Sequence, residues 1–193
     1  YHPFSVEPNM KLKLPKNWAT FDDYLMAMKT KFRVKAKRAL VLSKSLLIED
    51  VTIDNIDEKL PKMTALYKKV SASANFNLAN FNIETYKDFK EKLGSNYILK
   101  TYSINDKIVG FMSGVINQKS LDAHFVGIDY KLNKKYAIYQ RMLYDYVEIA
   151  IEKKLKTVNF GRTASEIKSS VGAVPQDLTM YLRHKKSITN KIL

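Results

Sequence analysis

Apolar positions fall into helical and strand spacings in turn along the chain. From Thr20, Phe21, Tyr24, Leu25, Met28, Phe32, Ala36, Ala39 and Leu40 recur every three or four residues, which predicts one amphipathic helix with a single buried face. Before it, residues 1–17 carry Pro3, Pro8 and Pro15. Each proline removes a backbone donor and pushes its predecessor out of the helical region, so this stretch reads as an extended arm. SLLIEDVTI, 45–53, is rich in branched apolar residues and ends at Asp54-Asn55, the pattern of a strand. Two helices come after it, 57–74 and 84–93, the second stopping at Gly94. A twelve-residue loop, SASANFNLANFN, separates them and exceeds the usual connection length. Three strands of a meander come next, 97–104, 107–117 and 121–129, turning at Asn105-Asp106 and Gln118-Lys119. A helix over 136–154 turns Ile138, Met142, Tyr146, Ile149 and Ala150 inward. It leads to a short buried strand, 155–160, a sharp turn at Gly161, a brief helix over 164–171 and a last strand over 178–182. The tail SITNKIL reads as a final helical turn, and no internal repeat is visible. The crossover helix should lie on one face of the sheet and join parallel neighbours.

Composition narrows the function classes. With 193 residues, 46% hydrophobic and only 6 Gly and 5 Pro, the chain has enough core to be globular and cannot be a low-complexity polymer. It contains no cysteine, which removes disulfides, thiolate metal sites and a cysteine nucleophile together, and makes a reducing, cytoplasmic setting the expectation. Three scattered histidines offer no metal site. No apolar run approaches the roughly 20 residues of a spanning helix. The chain opens on Tyr1 with no secretory apolar segment, and is expected to be a piece of a longer protein.

The net charge of +14 is concentrated at the ends. Residues 1–44 hold ten Lys/Arg against three acids, and 153–193 hold nine against two. Lys29, Lys31, Arg33, Lys35, Lys37, Arg38 and Lys44 succeed one another without an acid, whereas salt-bridged helices mix signs. Such a row tracks phosphates and is a candidate docking face for RNA, although no nucleic-acid readout module accompanies it. Solvation alone is the competing explanation.

The order of elements from residue 45 onward resembles the GNAT acyltransferase fold, an α/β (α+β) arrangement with a mixed, mostly antiparallel sheet that splays between its fourth and fifth strands. The equivalent strands here are 121–129 and 156–160. WATFDDYLMAMKTKFRVKAKRA, FVGIDYKLNKKYAIYQRMLYDYVEIAI and above all NFGRTASEIKSSVGA resemble the C-terminal part of Fem-type and peptidoglycan-biosynthesis-like proteins, from Trp18 to Leu193. The resemblance implies an arm plus basic helix over 1–43, an acyltransferase domain over 44–193, and a second domain in the full protein. It also implies transfer of an acyl or aminoacyl group to an amine acceptor, with a cell-wall precursor among the candidates. The donor-binding turn departs from the acetyl-CoA pattern. DYKLNKKYAIYQRM contains no glycine, so the backbone cannot approach a pyrophosphate by the usual route. Lys131, Lys134, Lys135 and Arg141 offer cationic side chains instead, which leaves acyl-CoA and aminoacyl-tRNA both open as donor.

Several residues could carry such chemistry. Without cysteine or a Ser-His-Asp pattern, direct attack in a ternary complex is favoured over a covalent enzyme intermediate. Asp122 and His124 share one face of their strand, where a carboxylate could raise the basicity of an imidazole and form a general base; an outward polar face is the plainer alternative. Asp129 and Tyr130 end that strand, where crevices of open sheets lie, or simply cap the chain's next turn. Arg162 comes directly after the Gly161 turn, and Lys168 sits six residues on, so both can face one crevice. The resemblance implies that Lys168 stabilises the donor or tetrahedral intermediate and that Arg162 binds a phosphate or carboxylate. Tyr181 could be the general acid that such folds often place nearby and His184 a phosphate contact, beside Arg183, Lys185 and Lys186; a frayed basic C-terminus is the plainer description. A GNAT-fold binding module for an anionic polymer or partner domain, without competent donor chemistry, is the competing class.

Overall fold

The computed structural model describes residues 1–73 and 81–185. Seven strands form one sheet in the order β2-β3-β4-β5-β6-β1-β7. They are β1 (His2–Lys13), β2 (Leu47–Asp50), β3 (Tyr97–Ile104), β4 (Lys107–Asn117), β5 (Ser120–Ile128), β6 (Thr157–Asn159) and β7 (Val174–Leu182). Every pairing is antiparallel except β5 with β6. Among the described residues seven α-helices accompany them: α1 (Phe21–Ala27), α2 (Thr30–Leu42), α3 (Ile56–Ala72), α4 (Thr85–Leu93), α5 (Tyr130–Tyr136), α6 (Ile138–Glu152) and α7 (Ser165–Ser170). This is the GNAT-like architecture.

Two apolar clusters cover the two faces. On one, Met142, Tyr146 and Ala150 of α6 meet Leu121 of β5, Val158 of β6, Leu12 of β1 and Tyr24 of α1. On the other, Met63, Leu66 and Tyr67 of α3 and Tyr86 of α4 meet Tyr97, Leu99 and Phe111. All five inward positions expected of α6 are buried. The meander turns as its sequence demands, with Asn105 and Asp106 both at positive φ, the conformation a two-residue hairpin requires. Gly110 lets α6 lie close to β4, since a Cβ there would come within 2.6 Å of Met142 Cε and 2.8 Å of Ile138 Cγ2.

The parallel pairing of β5 and β6 lasts only three residues, Ser120↔Thr157, Leu121↔Val158 and Asp122↔Asn159. Beyond Asp122, β5 runs on to Ile128 without β6 beside it, so the sheet parts between its two halves. This is the splay that the element order predicts.

Four expectations need correction. The N-terminal arm is strand β1, inserted between β6 and β7; Pro8 falls in the register shift between Val6 and Asn9, Pro3 pairs with Tyr181 where only β7 runs beside β1, and Pro15 lies past the strand's end. The single basic helix is two helices, because Met28 and Lys29 are extended; Thr20 caps the first with a reciprocal Asp23 capping box. The helix expected over 136–154 is preceded by α5, and the chain turns between α5 and α6 at Ala137, in the left-handed region at φ 48°. The last strand begins at Val174 rather than 178, where pairing with Lys11 outweighs the break that Pro175 suggests. The tail from residue 186 and most of the long loop, 74–80, lie outside the described residues.

Candidate functional site

Where β5 and β6 part, side chains approach from both faces of the sheet. Lys168 belongs to α7, whose Ile167 and adjoining Val171 pack into the cluster shared with α1 and α6. It is only 4% exposed. Its Nζ donates to the carbonyl of Arg162 at 2.6 Å and to that of Gly161 at 3.3 Å. Burial pushes its pKa down to about 8, partly opposed by the charge of Glu7. Gly161 makes this possible: at φ 74° it turns the strand end so that its carbonyl accepts from both Lys168 and Met10 N. Arg162 itself is exposed.

Asp122 comes from the opposite face, since it alternates with the buried Leu121. Its Oδ1 accepts from Ser120 Oγ at 2.9 Å and from Asn159 Nδ2 across the last β5–β6 pair. Asn159 Nδ2 also donates to Ser120 Oγ at 3.0 Å. Asn159 Oδ1 is buried without a hydrogen-bond partner.

The structure does not join Asp122 to His124. No hydrogen bond links them, and the imidazole lies among rings instead, 5.2 Å from Phe81 and 4.4 Å from Phe125 between ring centres. The residue stays exposed, but partial desolvation by these rings lowers its pKa, opposite in direction to the rise a carboxylate neighbour would cause.

Asp129 caps α5: its Oδ1 accepts from Lys131 N, and its carbonyl from Leu132 N and Asn133 N. Tyr130 is half exposed, its hydroxyl 3.1 Å from Ser73 Oγ. Lys131, Lys134 and Lys135 line the surface of α5, with Lys135 Nζ 4.9 Å from the Tyr136 ring centre. Arg141 points elsewhere. Its Nε donates to Asp145 Oδ1 at 2.6 Å, and Asp145 Oδ2 accepts from Tyr102 of β3, two strands away from the opening. Tyr181 is 66% exposed on β7 opposite Pro3. Asp122 lies level with Lys11 of β1, and the eight residues from there to Pro3 span about 26 Å at the usual strand rise. At the end of β6 the structure brings Lys168 together with Gly161 and Arg162; Asp122 stands on the other face at the last β5–β6 pair, and Tyr181 and Arg141 lie apart from both. Arg183 lies over the Tyr1 ring, beyond β7.

Several backbone amides around the turn after β5 are bonded within the chain. The first amides of α5 are taken by Asp129, whose carboxylate sets a negative charge there, and Tyr139 N near the start of α6 is taken by Asn133 Oδ1. Among the described residues no group of His, Cys, Asp and Glu could hold a metal ion, and no helix is long and apolar enough to cross a membrane.

Asn159 and Asp145 are the two polar residues here that pattern reading misses. Asp145 carries a signal, an acid four residues after Arg141 on a helix. Asn159 carries none, because its role depends on which strand lies beside it.

No family model and no curated protein matches the chain. Solved structures do. FemX matches with a TM-score of 0.69 at 11% identity, over 92% of this chain and 62% of its own. L-PGS from Bacillus licheniformis matches at 0.61 and 11%, over 99% of this chain and 64% of its own. An aminoglycoside acetyltransferase from an uncultured soil metagenomic sample, in complex with sisomicin, matches at 0.58 and 16%, over 75% of this chain and 99% of its own. The chain thus spans less than two thirds of FemX and of L-PGS. The splayed sheet, the crossover helix and the short helix after Gly161 give this chain the GNAT-like acyltransferase fold.

Proposed function

We propose that the chain transfers an acyl or aminoacyl group from an activated donor to an amine. The observation that carries this reading is Lys168, a buried cation fixed by two carbonyls at the end of the strand where the sheet opens. In this reading the amine nitrogen bonds to the donor's acyl carbon while the bond to the leaving oxygen or sulfur breaks. Asp122 takes the proton released by the amine and returns it to solvent, from which the leaving atom is protonated. Lys168 faces the charge that develops on the acyl oxygen, and Arg162 holds an anionic part of the donor. His124 serves as part of the aromatic wall rather than as the base.

An aminoacyl-tRNA is the preferred donor. The capped start of α5 argues against CoA, and the cations Lys29, Lys31, Lys35, Lys37, Arg38 and Lys44 have no acidic partner within ion-pair distance among the described residues. The acceptor is an amine, and the resemblance in sequence makes a cell-wall precursor the first one to try. A binding module with the same fold is the second reading, favoured by the same cations.

Calorimetric titration with acetyl-CoA and with bulk tRNA, each at low and high salt, tests this choice. The expected result is tRNA binding that weakens steeply with salt and no saturable heat from acetyl-CoA. Saturable, salt-resistant binding of acetyl-CoA would overturn the donor assignment. Equal loss of tRNA binding on removing any single cation, with Lys168→Met no different from the rest and no transfer detected, would favour the binding module.

A further inference from the structure

On the Asp122 face, below the point where β5 and β6 part, lies a cleft of about 390 Å³. Lys11 from β1, Lys119 from the β4–β5 turn and Lys156 before β6 line it, together with Ser120, Asp122 and Asn159. The carboxylate and the amide therefore sit at one end of the cleft, and two of the three lysines sit at the other.

The upper end is short of donors. Asp122 makes no ion pair among the described residues, its hydrogen bonds coming from neutral Ser120 and Asn159. Asn159 is oriented by its two donated bonds, which leave Oδ1 a buried acceptor with nothing to accept from. That atom is closed to the cleft; Asp122 Oδ2, which accepts no hydrogen bond among the described residues, is the acceptor left for an incoming N–H group. The lower end has the reverse deficiency, since Lys11, Lys119 and Lys156 have no acidic partner within ion-pair distance among the described residues. Lys119 lies in the turn three residues before Asp122, about 10 Å along an extended chain, which flexible lysine stems shorten.

We propose that this cleft is the acceptor site and that it takes an amine tethered to an anionic group, the ammonium or amine at Asp122 and the carboxylate or phosphate at Lys119 and Lys156. This assignment rests on the acyl-transfer reading for its purpose, but not for its binding chemistry. Lys11, the cross-strand neighbour of Asn159, contributes positive charge between the two ends. A monovalent amine without the anion satisfies only half of the cleft.

The test uses binding in the absence of any donor, so a chain that binds without transferring acyl groups would separate this proposal from the function above. The ¹⁵N-labelled chain is titrated with 6-aminohexanoate, 6-aminohexyl phosphate, hexylamine and hexanoate while the Asn159 side-chain amide and the backbone amides of 119–122 and 157–159 are monitored by NMR. The expected result is binding of at least one bifunctional probe about tenfold or more tighter than either hexylamine or hexanoate, with shifts confined to those amides. The tighter of the two bifunctional probes identifies the anion. Asp122→Asn should reduce that affinity to the level of hexanoate, and the double change Lys119→Gln, Lys156→Gln to the level of hexylamine. The lysine variant lies at an exposed turn and keeps the fold, so it decides the matter if Asp122→Asn disturbs the strand pairing. Equal affinity for all four probes, no saturable binding, or shifts elsewhere would overturn the proposal.

Discussion

Lys168 reaches back from α7 to the carbonyl of Arg162, 2.6 Å from its Nζ, so that the helix after the Gly161 turn is tied to the turn itself. The amine serves as a structural donor and is at the same time the most deeply buried cation near the opening, which gives it a measurable signature. Burial lowers its pKa from 10.5 to about 8, against a small opposing pull from Glu7. Between those values the folded chain holds fewer protons than the unfolded one, so stability from this group rises as pH climbs through the window. Wild type should therefore gain up to about 3 kcal/mol relative to Lys168→Met between about pH 7.5 and pH 10.5, read as the difference in urea midpoints. In a transfer assay the Lys168-dependent part of the rate should fall as pH rises through about 8.

Arg141 and Asp145 give a second pH-dependent pair, of opposite sense. Burial raises the Asp145 pKa, and Arg141 pulls it back down. With a folded pKa above 3.8, the folded chain binds more protons than the unfolded one just above that value, so this group's contribution falls as pH rises through the window. Arg141→Met removes the compensating charge and widens the window. The loss should be about 2–4 kcal/mol at about pH 7 and clearly smaller near pH 4.5, measured by denaturant unfolding at both values. Equal losses at the two pH values would mean that Asp145 does not carry the charge.

Gly110→Ala tests how closely α6 rides on β4. The new Cβ would press on Ile138 Cγ2 and Met142 Cε; the methionine end can swing aside, the isoleucine branch cannot. A loss of about 1–3 kcal/mol is expected, visible as a lowered thermal midpoint without loss of far-UV signal.

Gly161→Ala separates backbone strain from crowding. Nothing lies within 4 Å of the added Cβ, so the cost comes from the backbone at φ 74° alone. That cost should be about 1–2 kcal/mol. If the turn relaxes instead, its carbonyl leaves Lys168 and the transfer rate drops by more than the stability change explains. A variant as stable and as active as wild type would show that the turn does not need its glycine.

Much of this architecture is legible in the residues. Asn105-Asp106 marks a two-residue turn by local chemistry, and the α6 stripe marks a buried face by its spacing; both depend on neighbours a few positions away. The splay is legible only through the order of elements, since no residue in β5 announces that β6 leaves it after Asp122. The candidate site divides the same way. Gly161 and Lys168 lie within one turn and helix, so their association can be anticipated. Asp122 and His124 share a strand face, yet Asp122 is claimed across the ladder by Asn159 and His124 is drawn among Phe81 and Phe125. Partners brought in from 37 residues away for Asp122, and from a separate loop for His124, decide those roles. Arg141 shows the same dependence: its partner Asp145 is local, but what fixes that carboxylate is Tyr102, 43 residues earlier.

Strand β1 has a consequence for how the chain acquires its shape. Its partners are the strands at 157–159 and 174–182, so His2 must wait for Leu182 before its ladder can close. The meander can assemble from neighbours in sequence, but the half of the sheet on the other side of the opening needs a loop of nearly the whole chain to be closed first, which is slow. Until then β7 has no ladder at all, and its Leu178, Met180 and Leu182 are available to any passing strand edge. Folding of this chain should show an early phase in the β3–β5 meander and a late one in which its first and last segments meet.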